Sequence, residues 1–226
     1  MMLNEHASLI SSLPLFEGLK KEDIEHIASF CSLKEHQEGD VLFYEKDTKD
    51  SIYYIIEGSV KFYKVDRFYN EIFLYKLYSN SLIFNVSKLI DSFFISCYAN
   101  AEFLEDSKIL SIQSKPFRDM IYSNHALMTR ILEESFKMIQ QMQCIISRDV
   151  VFDGTAKVAH MLIHDLHTFN RIKKHEIAYM LHLQPETLSR ILNKLTRNGT
   201  IAIEKNAVVI LNEKELREIY EWNQQP

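Results

Sequence analysis

Three patterns of apolar and polar positions follow one another along the chain, and each predicts a different kind of element. A short amphipathic stretch, Lys20 to Phe30, puts Ile24, Ile27 and Ala28 on one side of a helix. From Leu33 to about Ile112 the spacing shortens to that of strands, in runs such as Val41-Leu42-Phe43, Ile52-Tyr53-Tyr54-Ile55-Ile56 and Val60-Lys61-Phe62-Tyr63. Turn formers punctuate these runs at Glu38-Gly39-Asp40, Lys49-Asp50-Ser51, Glu57-Gly58-Ser59 and Tyr78-Ser79-Asn80-Ser81. Many short strands at this spacing predict an antiparallel barrel or sandwich.

Around Lys115-Pro116 the period becomes helical, and from Asn124 to about Ser147 it holds for roughly seven turns. Met128, Ile131, Ser135, Met138, Met142 and Ile145 are separated by alternating steps of three and four, the spacing of a helix-pairing seam. A second stripe, Leu127, Leu132, Phe136, Ile139 and Ile146, widens the apolar surface. A helix with two apolar stripes should touch two bodies. The first stripe is assigned to the matching helix of a second subunit and the other to the barrel of its own. A helix buried inside one domain is the alternative.

After Asp149-Val150-Val151-Phe152-Asp153-Gly154 the remaining residues read as a separate small unit. A helix from Thr155 to Thr168, with Thr155 or Asp153 as N-cap, carries the core stripe Val158, Met161, Leu162, Leu166 and Phe169. Shorter helices follow at Lys174 to Leu181 and Pro185 to Arg197. Next comes a hairpin of Thr200 to Glu204 and Ala207 to Leu211 turning at Lys205-Asn206, then a last helix over about Glu213 to Trp222. Helices followed by a hairpin in about 70 residues is the layout of a winged helix-turn-helix. The fold class is therefore α+β: a strand-rich domain over 1–115, a long helix over 116–148 and a winged unit over 149–226.

Composition narrows the chemistry. With 46% hydrophobic residues the 226-residue chain is too apolar for disorder, and no run of about 18 apolar residues could span a bilayer. The start, Met1-Met2-Leu3-Asn4-Glu5-His6, lacks the order of a secretory signal, so a cytoplasmic protein is expected. Cys31, Cys97 and Cys144 lie far apart without C-x-x-C spacing, which suits reduced thiols and excludes a zinc ribbon. No glycine-rich loop for a nucleotide of the Walker or Rossmann kind is present.

The net charge of −5 argues against a chain that coats a polyanion, until it is divided by region. Between Asn170 and Thr200, Arg171, Lys173, Lys174, Arg190, Lys194 and Arg197 face only Glu176 and Glu186, leaving a local +4. From Asp149 onward basic and acidic residues balance at ten each, so the whole deficit lies in the N-terminal part.

The basic stretch Lys174 to Leu192 reads KHEIAYMLHLQPETLSRIL. Ile177, Leu181, Leu183, Leu188 and Ile191 fall where two sharply crossed helices meet, with Ala178 at the closest approach. His182 occupies the turn, where glycine is usual, and needs a left-handed backbone there. Pro185 starts the second helix at a position where a missing N–H costs nothing. Gln184, Glu186, Thr187, Ser189, Arg190 and Lys194 are then left outward. By type these read bases and phosphates: Arg forks onto guanine, Glu accepts from cytosine, and Ser or Thr serves either. A helical hairpin for protein contact is the competing reading.

At this point the chain resembles the Crp/Fnr superfamily of bacterial transcription regulators, over nearly its whole length. Glu38-Gly39-Asp40-Val41-Leu42-Phe43 leading to Asp50-Ser51-Ile52-Tyr53-Tyr54-Ile55-Ile56-Glu57-Gly58-Ser59-Val60-Lys61 is similar to the family's double-stranded β-helix, or jelly roll. Glu186-Thr187-Leu188-Ser189-Arg190-Ile191-Leu192 is similar to its recognition helix. The resemblance implies a β-roll sensor domain, a dimerisation helix and a DNA-binding domain. It further implies a homodimer on a palindromic operator, no enzymatic activity, and RNA polymerase as a partner if the protein activates. Glu186, Ser189 and Arg190 would contact bases, with Lys173, Lys174, Gln184, Thr187, Lys194 and Arg197 on the backbone or in support. A Glu, two residues, then Ser-Arg matches the anaerobic regulator branch and implies a TTGA-like inverted repeat.

Departures from the family bear on the signal. Cyclic-nucleotide binders carry a Gly-Glu pair and then an Arg that grips the phosphate, where this chain has Ile83-Phe84-Asn85-Val86 and Phe94-Ile95-Ser96-Cys97. Isoleucine cannot neutralise a phosphate, so cyclic AMP is not expected. The clustered N-terminal cysteines of iron-sulfur members are missing as well. The resemblance then points to members responding to nitrosative or redox stress, and haem is compatible. Spacing selects none of its candidate ligands, His6, His26, His36, His125, Cys97, Cys144 and the methionines.

Two further features are weighed. His160, His164 and His167 share one helix face at a spacing that could hold a metal, but a face opposite the core stripe is expected to be solvated. His175-Glu176 opens like a zinc-protease motif, but Tyr179 stands at the second His position. A cupin-like small-molecule-binding barrel remains as an alternative function, although a cupin needs several His and the strand region holds only His36. A constitutive DNA-binding regulator without effector is another.

Overall fold

The run Ile52-Tyr53-Tyr54-Ile55-Ile56 shows no polar alternation because the strand it forms is covered on both faces. It lies in the first of two units into which the computed structural model, which describes residues 2–83, 95–205 and 207–221, divides: Met1–Ile139 and Gln140–Pro226. The first unit begins with α1 (Met2–Ser12), a 3-10 turn at Pro14–Phe16 and α2 (Lys21–Ser29). Ten strands follow: β1 (Cys31–His36), β2 (Val41–Phe43), β3 (Thr48–Lys49), β4 (Ser51–Glu57), β5 (Ser59–Val65), β6 (Glu71–Tyr78), β7 (Ser81–Ile83), β8 (Ile95–Ser96), β9 (Asn100–Phe103) and β10 (Ser107–Gln113). Then come α3 (Ser114–Ser123) and the long α4 (His125–Ile146).

The strands pair antiparallel in two four-stranded sheets, ordered β1-β10-β4-β7 and β2-β9-β5-β6, with β3 and β8 as a short third pair. Ile52, Tyr54 and Ile56 of β4 join one apolar cluster with Ile10 of α1, Ile24 and Ile27 of α2, Phe117 of α3 and Leu127 of α4. Tyr53 points the other way, to Phe43 of the second sheet at 6.3 Å between ring centroids, beside the stacked pair Phe62 and Tyr75. The predicted jelly roll is thus a sandwich with helices on one outer face. Gly58, between β4 and β5, has φ +94°, and a Cβ there would stand 2.7 Å from that of Ser107. Only glycine fits that turn.

The helix expected over Lys20 to Phe30 is α2, and α1 was not announced by the pattern. Of the two stripes on α4, the first holds Ile131, 6% exposed and inside the same apolar cluster, with Met128 packed against it. Ser135, Met138, Met142 and Ile145 are half-buried. From the second stripe Leu127 is buried, while Leu132 at 53%, Phe136 at 64%, Ile139 at 51% and Ile146 at 60% are open. Those four keep steps of four, three and seven, so the open surface has its own heptad register.

In the second unit a π-helical turn, Ser147–Val151, precedes α5 (Gly154–His164), α6 (Leu166–Arg171), α7 (Lys174–Met180) and α8 (Pro185–Arg197). The hairpin β11 (Ile201–Glu204) and β12 (Ala207–Ile210) and then α9 (Glu213–Glu221) complete it. Asp153 is the N-cap of α5, its carboxylate accepting from the Ala156 N–H at 2.8 Å. The single helix expected to Thr168 is instead broken at Asp165, whose backbone, φ −145° and ψ 44°, leaves the helical region and starts α6. Trp222 and Asn206, named in the expected last helix and hairpin turn, lie outside the described residues.

The cysteines differ sharply in access. Cys97 is buried, burial pushes the half-buried Cys31 thiol up to about 12, and Cys144 is exposed. Because the thiolate is the nucleophile, Cys144 should be alkylated first in the native protein at neutral pH. Peptide mapping after a brief iodoacetamide pulse checks this; equal labelling of Cys31 would contradict it.

Candidate nucleic-acid interface

The outer surface of α7 and α8 is built from the residues that the core leaves over. Ile177, Ala178, Leu181, Leu188, Ile191, Leu192 and Leu195 are all buried, in one cluster with Val158 and Leu162 of α5 and Ile201 and Val208 of the hairpin; Leu183 packs against it half-buried. Burying every leucine and isoleucine of α8, and Ile177 and Ala178 of α7, fixes which side of each helix remains outside. His182 has φ +53°, the left-handed turn expected of it. Pro185 stands at the first helical position of α8.

Gln184, Glu186, Ser189, Arg190, Lys194 and Arg197 are exposed and Thr187 is half-buried, all on or just before α8; Lys173 and Lys174 are exposed at the start of α7. Glu186, Arg190 and Arg197 follow at steps of four and seven and therefore share a face. A guanidinium N–H of Arg190 donates to the Thr187 hydroxyl at 3.2 Å, which aims the fork along the helix. Arg190, Lys194 and Arg197 also line a shallow cleft with Asn193 and Asn198, two amides that the motif reading passed over. Their signal was available: Asn193 lies three residues after Arg190 on the same exposed face. No carboxylate lines that cleft, so it offers donors to an anionic ligand.

The supports come from elsewhere in the unit. Glu176 accepts from the Lys173 N–H at 2.9 Å and so closes the start of its own helix, an employment unrelated to zinc. Asn170 clamps the hairpin through both its amide atoms, donating to the Val208 carbonyl at 2.9 Å and accepting from the Val208 N–H at 2.7 Å.

The histidine face is largely solvated, as expected: His164 and His167 are exposed and His160 is half-buried. His160 and His164 stand with ring centroids 4.4 Å apart beside Tyr220 of α9, whose hydroxyl is 3.2 Å from His164 Nε2. A helix from the far end of the unit touches that side without covering it. No group of three or more His, Cys, Asp or Glu placed to hold a metal occurs among the described residues. Within the sandwich, His36 stacks on Phe103 at 4.4 Å. His26 stands edge-on to Phe30 and is exposed, as is His125, and no position singles out a haem ligand. Of the stretch read against the cyclic-nucleotide signature, residues 84–94 lie outside the described residues. No described helix is long and apolar enough to cross a membrane.

Comparison with known proteins supplies independent information. Residues 33–124 match the family of cyclic nucleotide-binding domains, and residues 156–219 that of Crp-like helix-turn-helix domains. The cyclic AMP receptor protein of Thermus thermophilus is 25% identical over 213 residues, covering 91% of this chain and 96% of its own. Among solved structures, a Crp/Fnr-family transcriptional regulator from Eubacterium rectale superposes with a TM-score of 0.69 at 16% identity, covering 92% of this chain and 98% of its own. FixK2 from Bradyrhizobium japonicum gives 0.67 at 14% identity, covering 84% and 96%.

Proposed function

The chain belongs to the Crp/Fnr superfamily of transcription regulators and is a DNA-binding protein of that type, and on this premise we propose that it binds a TTGA-like inverted repeat as a homodimer. The observation that carries the reading is the outer face of α8, where Glu186, Ser189 and Arg190 are exposed while Leu188, Ile191, Leu192 and Leu195 are buried. Arg190 reads the guanine, Glu186 accepts from a cytosine amine, and Ser189 completes the base contacts. Lys173, Lys174, Gln184, Thr187, Lys194 and Arg197 hold phosphates or steady those readers. The +4 segment draws the reader to DNA, and the acidity of the remaining chain keeps non-specific affinity modest.

The division of labour we infer is a sensor over 1–115, a dimerisation helix over 116–148 and a reader over 149–226. Exposure argues that pairing uses Leu132, Phe136, Ile139 and Ile146, the stripe left open, rather than the stripe of Met128 and Ile131, which the chain's own core engages. The signal we assign to a small redox or nitrosative species. Ile95, in the place of the phosphate-gripping Arg, supports this choice over a cyclic nucleotide.

Selection from a random duplex library tests the proposal. The wild-type protein should return TTGA half-sites with centres about 34–36 Å apart. Affinity for the selected duplex should be unchanged by cyclic AMP and altered by nitric oxide or a thiol oxidant. Recovery of unrelated or single half-sites would overturn the operator assignment, and tightening by cyclic AMP would overturn the choice of signal.

A further inference from the structure

Lys157 is the one charged residue that is buried among the described residues, at 9% exposure. An ammonium taken from water needs a compensating anion. Its partner is Asp149, in the π-helical turn before α5, with Lys157 Nζ 3.9 Å from Oδ1. The second oxygen of the same carboxylate, Oδ2, stands 3.7 Å from His182 Nε2. Asp149 is itself only 26% exposed at its side chain and His182 31%. One carboxylate thus joins three segments: the π-helical turn, the first turn of α5, and the turn of the helix-turn-helix.

A second, independent contact brings the same segments together. At Gly154, the first residue of α5, a Cβ would meet Ile191 Cδ1 and Leu183 Cδ2, each at 3.2 Å. Leu183 follows His182 directly and Ile191 lies within α8, so the start of α5 is pressed against the turn and the reading helix. Glycine permits that approach, and Asp149 holds the preceding turn beside it.

His182 also has a backbone reason to be questioned. Its left-handed conformation at φ +53° is unfavourable for a residue with a Cβ and free of that penalty for glycine. A histidine kept in a glycine's place calls for something its ring does, and the ring reaches Asp149.

We propose that Asp149, through Lys157 and His182, is a clasp that fixes the π-helical turn to the helix-turn-helix and so sets the orientation of α8 for DNA. The three are positioning residues; none touches a base in this scheme. The proposal rests on α8 being the DNA reader, and the test separates the two.

His182→Gly removes the imidazole while relieving the backbone, and Asp149→Asn removes the anion. The glycine variant should melt no lower than wild type. Amides of residues 147–152 should exchange at least about tenfold faster in both variants, with the rest of the second unit unchanged. Affinity for the duplex selected by the wild-type protein should fall about five- to tenfold, while affinity for a scrambled duplex stays the same, a split that general loss of structure would not produce. The double variant should lose no more than the worse single variant. Wild-type exchange at 147–152 in His182→Gly, or additive losses in the double variant, would overturn the clasp. Because amide exchange needs no DNA, failure of wild-type protein to select any duplex would count against the reading helix alone.

Discussion

Phe136→Glu is expected to halve the mass in solution, from a dimer of 26.6 kDa chains to a single chain, and to remove operator binding with it. Phe136 is the most exposed member of the open stripe on α4, at 64%, flanked by Leu132 and Ile139 one helical turn either way. Burying a large apolar side chain contributes about 1.5–3 kcal/mol, and a residue on a two-fold seam is buried twice. The substitution removes both contributions and places two carboxylates opposite each other, so the dimer should weaken by at least about 1,000-fold. Operator binding needs both readers at once, and a monomer forfeits the gain from a linked second site. Met128→Glu is the contrasting variant. Met128 packs against the chain's own core, so that change should lower the melting temperature of the first unit and leave the dimer intact. Sedimentation equilibrium distinguishes the two. A dimeric Phe136→Glu, or a monomeric Met128→Glu that melts normally, would reassign the interface to the other stripe.

That contrast also marks where the sequence could be read and where it could not. Periodicity placed apolar residues on two sides of α4, because helix geometry alone determines which residues share a face, although Leu127, read with the second stripe, packs into the core with Ile131. It could not say which stripe the sandwich would cover, since both are apolar to a similar degree and the decision belongs to packing between distant elements. The one contact on the histidine face was hidden for the same reason. His160 and His164 lie opposite the core stripe on the wheel of α5, and His164 is exposed as expected, but Tyr220, 56 residues beyond His164, comes from another helix to meet them. The helix break at Asp165 escaped notice because the apolar spacing of Leu162, Leu166 and Phe169 runs straight through it. By contrast, which residues of α8 are left exposed was legible almost in full. It depends on local rules: proline at the helix start, a left-handed turn at His182, and buried apolar residues at helical spacing. The N-terminal helix α1 stood out least, its one fully buried described side chain being Ile10.

Arg190→Ala should cost about 1–3 kcal/mol at each half-site, and so about 2–6 kcal/mol on a two-fold operator. The loss should be confined to duplexes that keep the guanine Arg190 reads, so the ratio of operator to scrambled affinity collapses while scrambled binding barely changes. The geometry favours this asymmetry. Arg190 is exposed on the same face as Glu186, and its bond to the Thr187 hydroxyl steadies the guanidinium before DNA arrives, which lowers the ordering cost of the fork. Lysine at this position would keep the charge without the planar fork, so Arg190→Lys should retain scrambled affinity and still lose most of the discrimination. Lys194→Ala supplies the opposite pattern. As a phosphate contact it should weaken all duplexes alike and reduce the salt dependence of binding by about one unit per half-site. Fluorescence anisotropy against operator and scrambled duplexes over a salt series measures all three variants. If Arg190→Ala kept the wild-type ratio and instead lost salt dependence, Arg190 would be a phosphate contact, and the guanine would have to be read by another residue on that face, with Asn193 the next donor along it.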